Sequence, residues 1–163
     1  MLTWLDVLAI FSAAAATAVG AKKGASFLLV FPLALATFAL AAPFVPPWAW
    51  PLVAAGAGLV WAQLVGRFYF YLSEFWDTLL GGLGGLAWGA LVAVALWTGL
   101  PATYSLATGA WRYPSPELPI AVQEAVINSP FARPLFERVR GIAFLEKLFL
   151  QARPEREKAE LSR

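Results

Sequence analysis

Residues 77–99 read Asp-Thr-Leu-Leu-Gly-Gly-Leu-Gly-Gly-Leu-Ala-Trp-Gly-Ala-Leu-Val-Ala-Val-Ala-Leu-Trp-Thr-Gly, and no charged residue follows Asp77 in this stretch. At about 1.5 Å per residue, a helix of this length crosses a hydrocarbon core of about 30 Å. Gly81, Gly85 and Gly89 recur every four residues and form one stripe on that helix. In lipid such a stripe lets another helix backbone approach closely. We predict that it packs against the first or third helix of the chain or against a second copy; lining a narrow pore is the less favoured alternative.

The composition agrees with a protein that crosses the membrane several times. Of the 163 residues, 60% are hydrophobic and only 13% are charged, whereas a soluble domain carries about 25% charged residues. The chain contains no cysteine and no histidine, which excludes disulfides, thiol chemistry, Ser-His-Asp triads and histidine-ligated metal sites. The net charge of +2 is too small to indicate nucleic-acid binding. We expect a protein without catalytic, cofactor or metal sites.

Four apolar runs divide the chain. The first has no lysine or arginine before it, so we interpret it as a retained span and not as a cleaved signal peptide. A proline at position 32 predicts a kink in the second span. The fold class is therefore all-α without a sheet: a polytopic membrane domain of four helices (1–99), an amphipathic helical tail outside the membrane (100–153) and a charged, disordered terminus (154–163). The predicted spans are 2–21, 25–42, 52–66 with an extension towards 72, and 78–98.

The basic residues of the short loops set the expected orientation. Lys22, Lys23 and Arg67 are the only basic residues before position 100, and they fall in the first and third loops. The positive-inside rule assigns these loops to the cytoplasm and both termini to the outside. The tail carries nine basic and seven acidic residues, and a strict basic count would draw it inward. Long segments cross the membrane largely regardless of charge, so the short loops decide.

Two acidic residues lie at opposite ends of the predicted bundle and cannot form a pair. Thr3 and Asp6 have the spacing of a capping box, which satisfies free amide groups at a helix start. Asp77 is expected to cap the fourth helix, where negative charge is favoured. It is also a candidate for an ion pair with Lys22, Lys23 or Arg67 that would hold two loops together.

Uncharged polar and aromatic residues within the spans are expected to serve packing. Gln63 is the only amide in the spans and should form a hydrogen bond within the bundle. Trp61 and Trp88 are expected to fill space beside glycines, with gating of a path as the weaker alternative.

The tail contains two helix-start signals. Ser115-Pro116 and Ser129-Pro130 each combine an N-cap residue with proline at the first helical position. The first predicts a helix to about residue 128 and the second a helix to about residue 151. The second helix is amphipathic and could lie on the membrane surface or dock onto the bundle or a partner. Its predicted apolar face comprises Phe131, Leu135, Val139, Ile142 and Phe149.

Three of these stretches resemble the CvpA, or colicin V production, family of small bacterial inner-membrane proteins. They are Trp4-Leu5-Asp6, the basic loop 20–24, and Asp77 with its glycine stripe; Thr78 and Trp88 stand where family members often have arginine. The resemblance covers roughly the first hundred residues. It implies a multi-pass protein linked to bacteriocin production or export and to envelope homeostasis, and it supplies no biochemical mechanism.

The leading functional hypothesis is thus a non-enzymatic protein of the bacterial inner membrane. Its expected partners are the lipid bilayer, an unknown membrane or periplasmic protein, and a second copy as a possible homo-oligomer. The alternative is a small transporter or channel component. A membrane-embedded enzyme is disfavoured because nucleophiles and bases are scarce.

Overall fold

The computed structural model describes residues 2–67, 72–105 and 110–140. Four helical segments in these ranges are long and apolar enough to cross a membrane, which confirms the predicted four-span fold. Short 3-10 turns precede two of the helices, at Ala25–Leu29 and Pro47–Ala49, and a third covers Ala42–Phe44. The α-helices are α1 (Trp4–Lys23), α2 (Val30–Ala41), α3 (Trp50–Val65), α4 (Glu74–Thr98), α5 (Ile120–Asn128) and α6 (Ala132–Arg140).

The second span changes helix type near its start. The segment Ala25–Leu29 is a 3-10 turn, and the α-helix begins at Val30. Pro32 therefore lies in the first turn of α2, where an amide hydrogen has no partner within the helix and proline is tolerated. The kink expected inside this span is replaced by the change from 3-10 to α geometry just before the proline.

The boundaries around the third loop also differ from the prediction. α3 ends at Val65 and Leu72 is not helical; the rest of the expected extension, 68–71, lies outside the described residues. α4 begins at Glu74, four residues before the predicted start. Glu74 and Asp77 both lie in its first turn, where acidic side chains interact favourably with the helix dipole. The predicted start at residue 78 places both charges before the helix.

α4 is the central helix of the bundle. It packs most extensively against α1 and also contacts α2, α3, α6 and the 3-10 turn before α2. In its most apolar stretch 44% of the residues are buried, compared with 28% in each of the other three spans. The largest fully buried side chains of the apolar core are Trp50, Phe27 and Phe38.

The tail begins with a short antiparallel ribbon that the sequence analysis did not predict. Strand β1 (Thr103–Ser105) pairs with β2 (Ala110–Arg112), with Thr103 opposite Arg112. Three residues per strand are too few for an alternating hydrophobic pattern to be recognised. The expectation of no sheet is therefore corrected by one two-stranded ribbon.

Only one of the two predicted tail helices starts where expected. The Ser115 hydroxyl accepts a hydrogen bond from the amide of Glu117, and α5 begins after Pro119. The Ser129 hydroxyl accepts from the amides of Phe131 and Ala132 at the start of α6, as the sequence predicted. Residues 141–151 of the predicted second helix, with Ile142 and Phe149 of its apolar face, lie outside the described residues, as does the charged segment 154–163.

Candidate functional site

The backbones of α1 and α4 touch along the glycine stripe. A Cβ atom at Gly85 would overlap the carbonyl oxygen of Ala16, and one at Gly89 would lie 2.6 Å from the Cα of Ala13. A Cβ atom at Gly81 would likewise overlap the carbonyl oxygen of Gly20. Any side chain at these positions would force the two helices apart. The stripe is thus occupied by α1 and is not open to lipid or to an aqueous path.

Two further glycines also lie in close backbone contacts, one with α4 and one with the 3-10 turn. On α1, a Cβ atom at Gly20 would lie 2.9 Å from the Cα of Gly85. On α4, Gly84 faces the 3-10 turn, since its Cβ would lie 2.6 Å from the Cα of Leu28. The sequence analysis missed Gly84. Its spacing of three residues from Gly81 was the available signal, because residues three apart also lie on neighbouring positions of a helix surface.

Asp77 connects the starts of two spans. Its Oδ1 accepts a 2.8 Å hydrogen bond from the amide of Ala25, the first residue of the 3-10 turn. Gly24 adopts a φ of 83°, and a Cβ there would lie 2.8 Å from Oδ1 of Asp77. Only glycine combines that backbone conformation with so close a carboxylate. Although Asp77 lies in the first turn of α4, its carboxylate caps the start of the 3-10 turn that opens the second span. It does not cap α4 itself.

The basic residues at this end of the bundle make no ion pair with Asp77. Lys22 and Lys23 lie exposed in the last turn of α1, where positive charge complements the helix dipole, and Arg67 is exposed after α3. Within the described residues the one ion pair joins Arg133 and Glu137 on α6. The starts of the second span and of α4 are therefore joined by the hydrogen bond from Ala25 to Asp77, and not by the ion pair that the sequence suggested.

Asp6 is the most highly connected polar residue at the opposite end. Its side chain is completely buried, and the expected capping box with Thr3 is present. Oδ2 accepts hydrogen bonds from the amide (2.9 Å) and hydroxyl (2.8 Å) of Thr3. Oδ1 accepts from Nε1 of Trp97 at 3.0 Å and from the hydroxyl of Ser129 at 2.5 Å. One carboxylate thus joins the start of α1, the end of α4 and the cap of α6.

Aromatic contacts surround this carboxylate and hold the tail against the bundle. The rings of Trp97 and Phe131 have centroids 5.2 Å apart, and Tyr113 stacks on Phe136 at 4.0 Å. The Tyr113 hydroxyl donates to the backbone carbonyl of Trp97. Burial raises the pKa of Tyr113 above its ordinary value, so the hydroxyl remains protonated and able to donate.

The tail helices therefore dock on the end of the bundle. For the amphipathic helix that begins after Ser129, this is one of the alternatives that the sequence left open. Of the predicted face of α6, Leu135 packs against the core, whereas Phe131 is 43% exposed. Phe136 is buried and had not been assigned to that face. A small cluster beneath the tail consists of Leu5, Ala125, Val126 and Ala132.

The tryptophans inside the spans fill space and donate hydrogen bonds. Trp88 lies on Gly58 of α3, and its Nε1 donates to the carbonyl of Ala54 at 3.0 Å. Trp61 donates to the Thr37 hydroxyl at 2.8 Å. The expectation for Gln63 is wrong, because its side chain is exposed on α3 and forms no hydrogen bond within the described residues.

The described residues contain no group of three histidine, cysteine, aspartate or glutamate side chains that could hold a metal ion. In the same ranges Asp6 is the buried charged residue, and its oxygens are engaged by four donors. Charge-assisted hydrogen bonds of this kind stabilise an ionised carboxylate and leave it no open position for a cation. The arrangement around Asp6 connects and orders helices.

Four apolar spans, two of which pack against each other through glycines, define a polytopic helical membrane protein. No family model, curated protein or solved structure matches the chain.

Proposed function

We propose that this protein acts in the bacterial inner membrane through contacts with other proteins, without catalysis. The observation that carries the proposal is the backbone contact of α1 with Gly81, Gly85 and Gly89. A glycine face on a membrane helix either packs closely against another helix or lines a narrow pore. Here α1 fills the groove that the glycines of α4 form. Support for the alternative, a small transporter or channel component, is correspondingly weaker.

A role of the CvpA type, in bacteriocin production or export and envelope homeostasis, is the proposed cellular context. Its support is the resemblance of the three stretches described above. All three belong to one structural unit, since Asp6 and Gly20 lie on α1 and Asp77 with the stripe lies on α4. The partner would be a membrane or periplasmic protein.

Solute flux tests the contact function against the transport alternative. The purified full chain in liposomes should pass potassium ions and protons no faster than empty liposomes do, while an added ionophore reports that the vesicles are sealed. In parallel, a photo-crosslinking residue at exposed Ile127 should capture a discrete partner in native membranes, and one at buried Val126 should not. Protein-dependent flux above the empty liposomes would contradict the proposal and support a channel or transporter.

The proposed orientation has the first and third loops in the cytoplasm and the termini outside. The hydrogen bond from Ala25 to Asp77 joins the start of the second span to the start of α4, at the end of the bundle where the first and third loops lie. The contact between Asp6 and Ser129 joins the N-terminal end to the tail at the other. Once one end of the bundle is assigned to a side of the membrane, the side of every loop follows. Lys22, Lys23 and Arg67 favour the cytoplasm for the end that contains Ala25 and Asp77.

Single cysteines should report this orientation, because the chain has none of its own. A cysteine at Ala49, in the second loop, should react with a membrane-impermeant maleimide added outside intact spheroplasts. A cysteine at Ser73, exposed at the start of α4, should react only after permeabilisation. The reverse pattern would show that the orientation is inverted.

A further inference from the structure

One face of α3 is directed away from the rest of the bundle. Its residues Leu52, Gly56, Leu59 and Gln63 are spaced by four, three and four positions, the alternation that forms a helix–helix seam in coiled coils. Leu52 is 67% and Leu59 is 55% exposed. The opposite face of α3, which includes Ala54 and Trp50, is buried against α2 and α4. We call these four residues the α3 seam.

Gly56 differs from the other described glycines in having nothing near it. A Cβ atom at this position would meet no atom of the described residues within 4 Å, whereas every other described glycine has a neighbour inside that distance. A glycine in the middle of a helix is intrinsically unfavourable compared with alanine. In the part of the chain that the structure describes, no close approach explains its presence. A helix from outside the chain would explain it, because Gly56 leaves room for backbone contact.

Gln63 is the second unusual residue of the α3 seam. The hydroxyls of Ser12, Thr17, Thr37 and Thr98 all bond to carbonyls of their own helices. The Gln63 amide is exposed and has no hydrogen-bond partner in the described residues. An amide that faces hydrocarbon without a partner is unfavourable. Glutamine is both donor and acceptor, so its best match is another amide.

We propose that the α3 seam is the interface of a homodimer in which α3 of one copy packs in parallel against α3 of the other. Two copies in one membrane have the same orientation, so a two-fold axis normal to the bilayer brings each residue against its own counterpart. Gly56 then approaches Gly56, and the two Gln63 amides satisfy each other. The dimer deepens the proposed contact function and rests on it. The glycine stripe of α4 takes no part, since α1 already occupies it.

Cysteine cross-linking tests this geometry directly in the full-length chain. A cysteine at Leu59 should form a disulfide-linked dimer when native membranes are oxidised. A cysteine at Leu86, which is 50% exposed midway along α4, is the matched control at similar depth and should remain monomeric. Equal yields at both positions, or no dimer from Leu59→Cys, would overturn the proposal.

Energy transfer between labelled copies in vesicles tests the two unusual residues. Gln63→Leu and Gly56→Ile should each weaken association by about three- to tenfold, and the control Ala18→Ile, on an exposed position of α1, should leave it unchanged. Thermal melting of each variant in detergent checks that the bundle is intact. If Gln63 merely reaches headgroup water, Gln63→Leu will associate like the parent, and the proposal fails. These measurements involve neither flux nor partner capture. A negative result would therefore overturn the dimer without overturning the contact function.

Discussion

Replacement of Gly85 by leucine should lower the free energy of unfolding by at least about 1–3 kcal/mol, which is the usual cost of overpacking a tight core. The reason is that the new Cβ would overlap the carbonyl oxygen of Ala16, a backbone atom that cannot rotate away. Separation of the helices would also weaken the contacts at Gly81 and Gly89. Thermal stability of the purified protein in detergent measures the effect.

Gly82→Leu is the matched control, because it makes the same substitution on the same helix. A Cβ atom at Gly82 would lie 3.7 Å from the Cβ of Ala21, an ordinary contact, so this variant should melt close to the parent. Ala90→Leu is a second control at an exposed position. Val92 also lies off the stripe, but it is 8% exposed and hence unsuitable. If Gly85→Leu and Gly82→Leu melted at the parent temperature, the packing role of the stripe would be refuted.

Replacement of Asp6 by alanine should release the tail from the bundle. The change leaves the partly buried indole of Trp97 and the buried hydroxyl of Ser129 without their acceptor. Buried donors without partners cost about 1–3 kcal/mol each, and we expect a total of about 3 kcal/mol. Faster amide hydrogen exchange in α5 and α6 should report the release, together with a change in tryptophan fluorescence.

A hydroxyl that serves only its own helix provides the control for Asp6. Ser12 donates to the carbonyl of Leu8 on its own helix, α1, so Ser12→Ala should leave exchange in α5 and α6 unchanged. Ser129→Ala should have an intermediate effect, since it removes one donor to Asp6 and the cap of α6. Unaltered exchange in the tail of Asp6→Ala would show that the carboxylate does not hold it.

Features of the fold that depend on neighbouring residues followed from the sequence. The apolar length after Asp77, the Thr3–Asp6 capping box and the Ser129 start of α6 are all local. Each involves residues within a few positions of one another or a run of uniform hydropathy. Such signals depend on helix geometry alone, which is the same wherever the helix finally packs. The misplaced starts of α4 and α5 arose where charges or a second proline obscured the boundary.

The partners of these residues were decided by the tertiary structure. Asp6 meets Trp97 and Ser129 across 91 and 123 positions, and Asp77 meets Ala25 across 52. No local pattern encodes these distances along the chain. In a membrane protein the lipid-facing and core-facing sides of a helix are both apolar, so hydrophobic periodicity does not indicate how a helix is rotated. For that reason the sequence alone revealed a third segment long and apolar enough to cross a membrane, while only the packed bundle showed that Gly56 and Gln63 of α3 face outward.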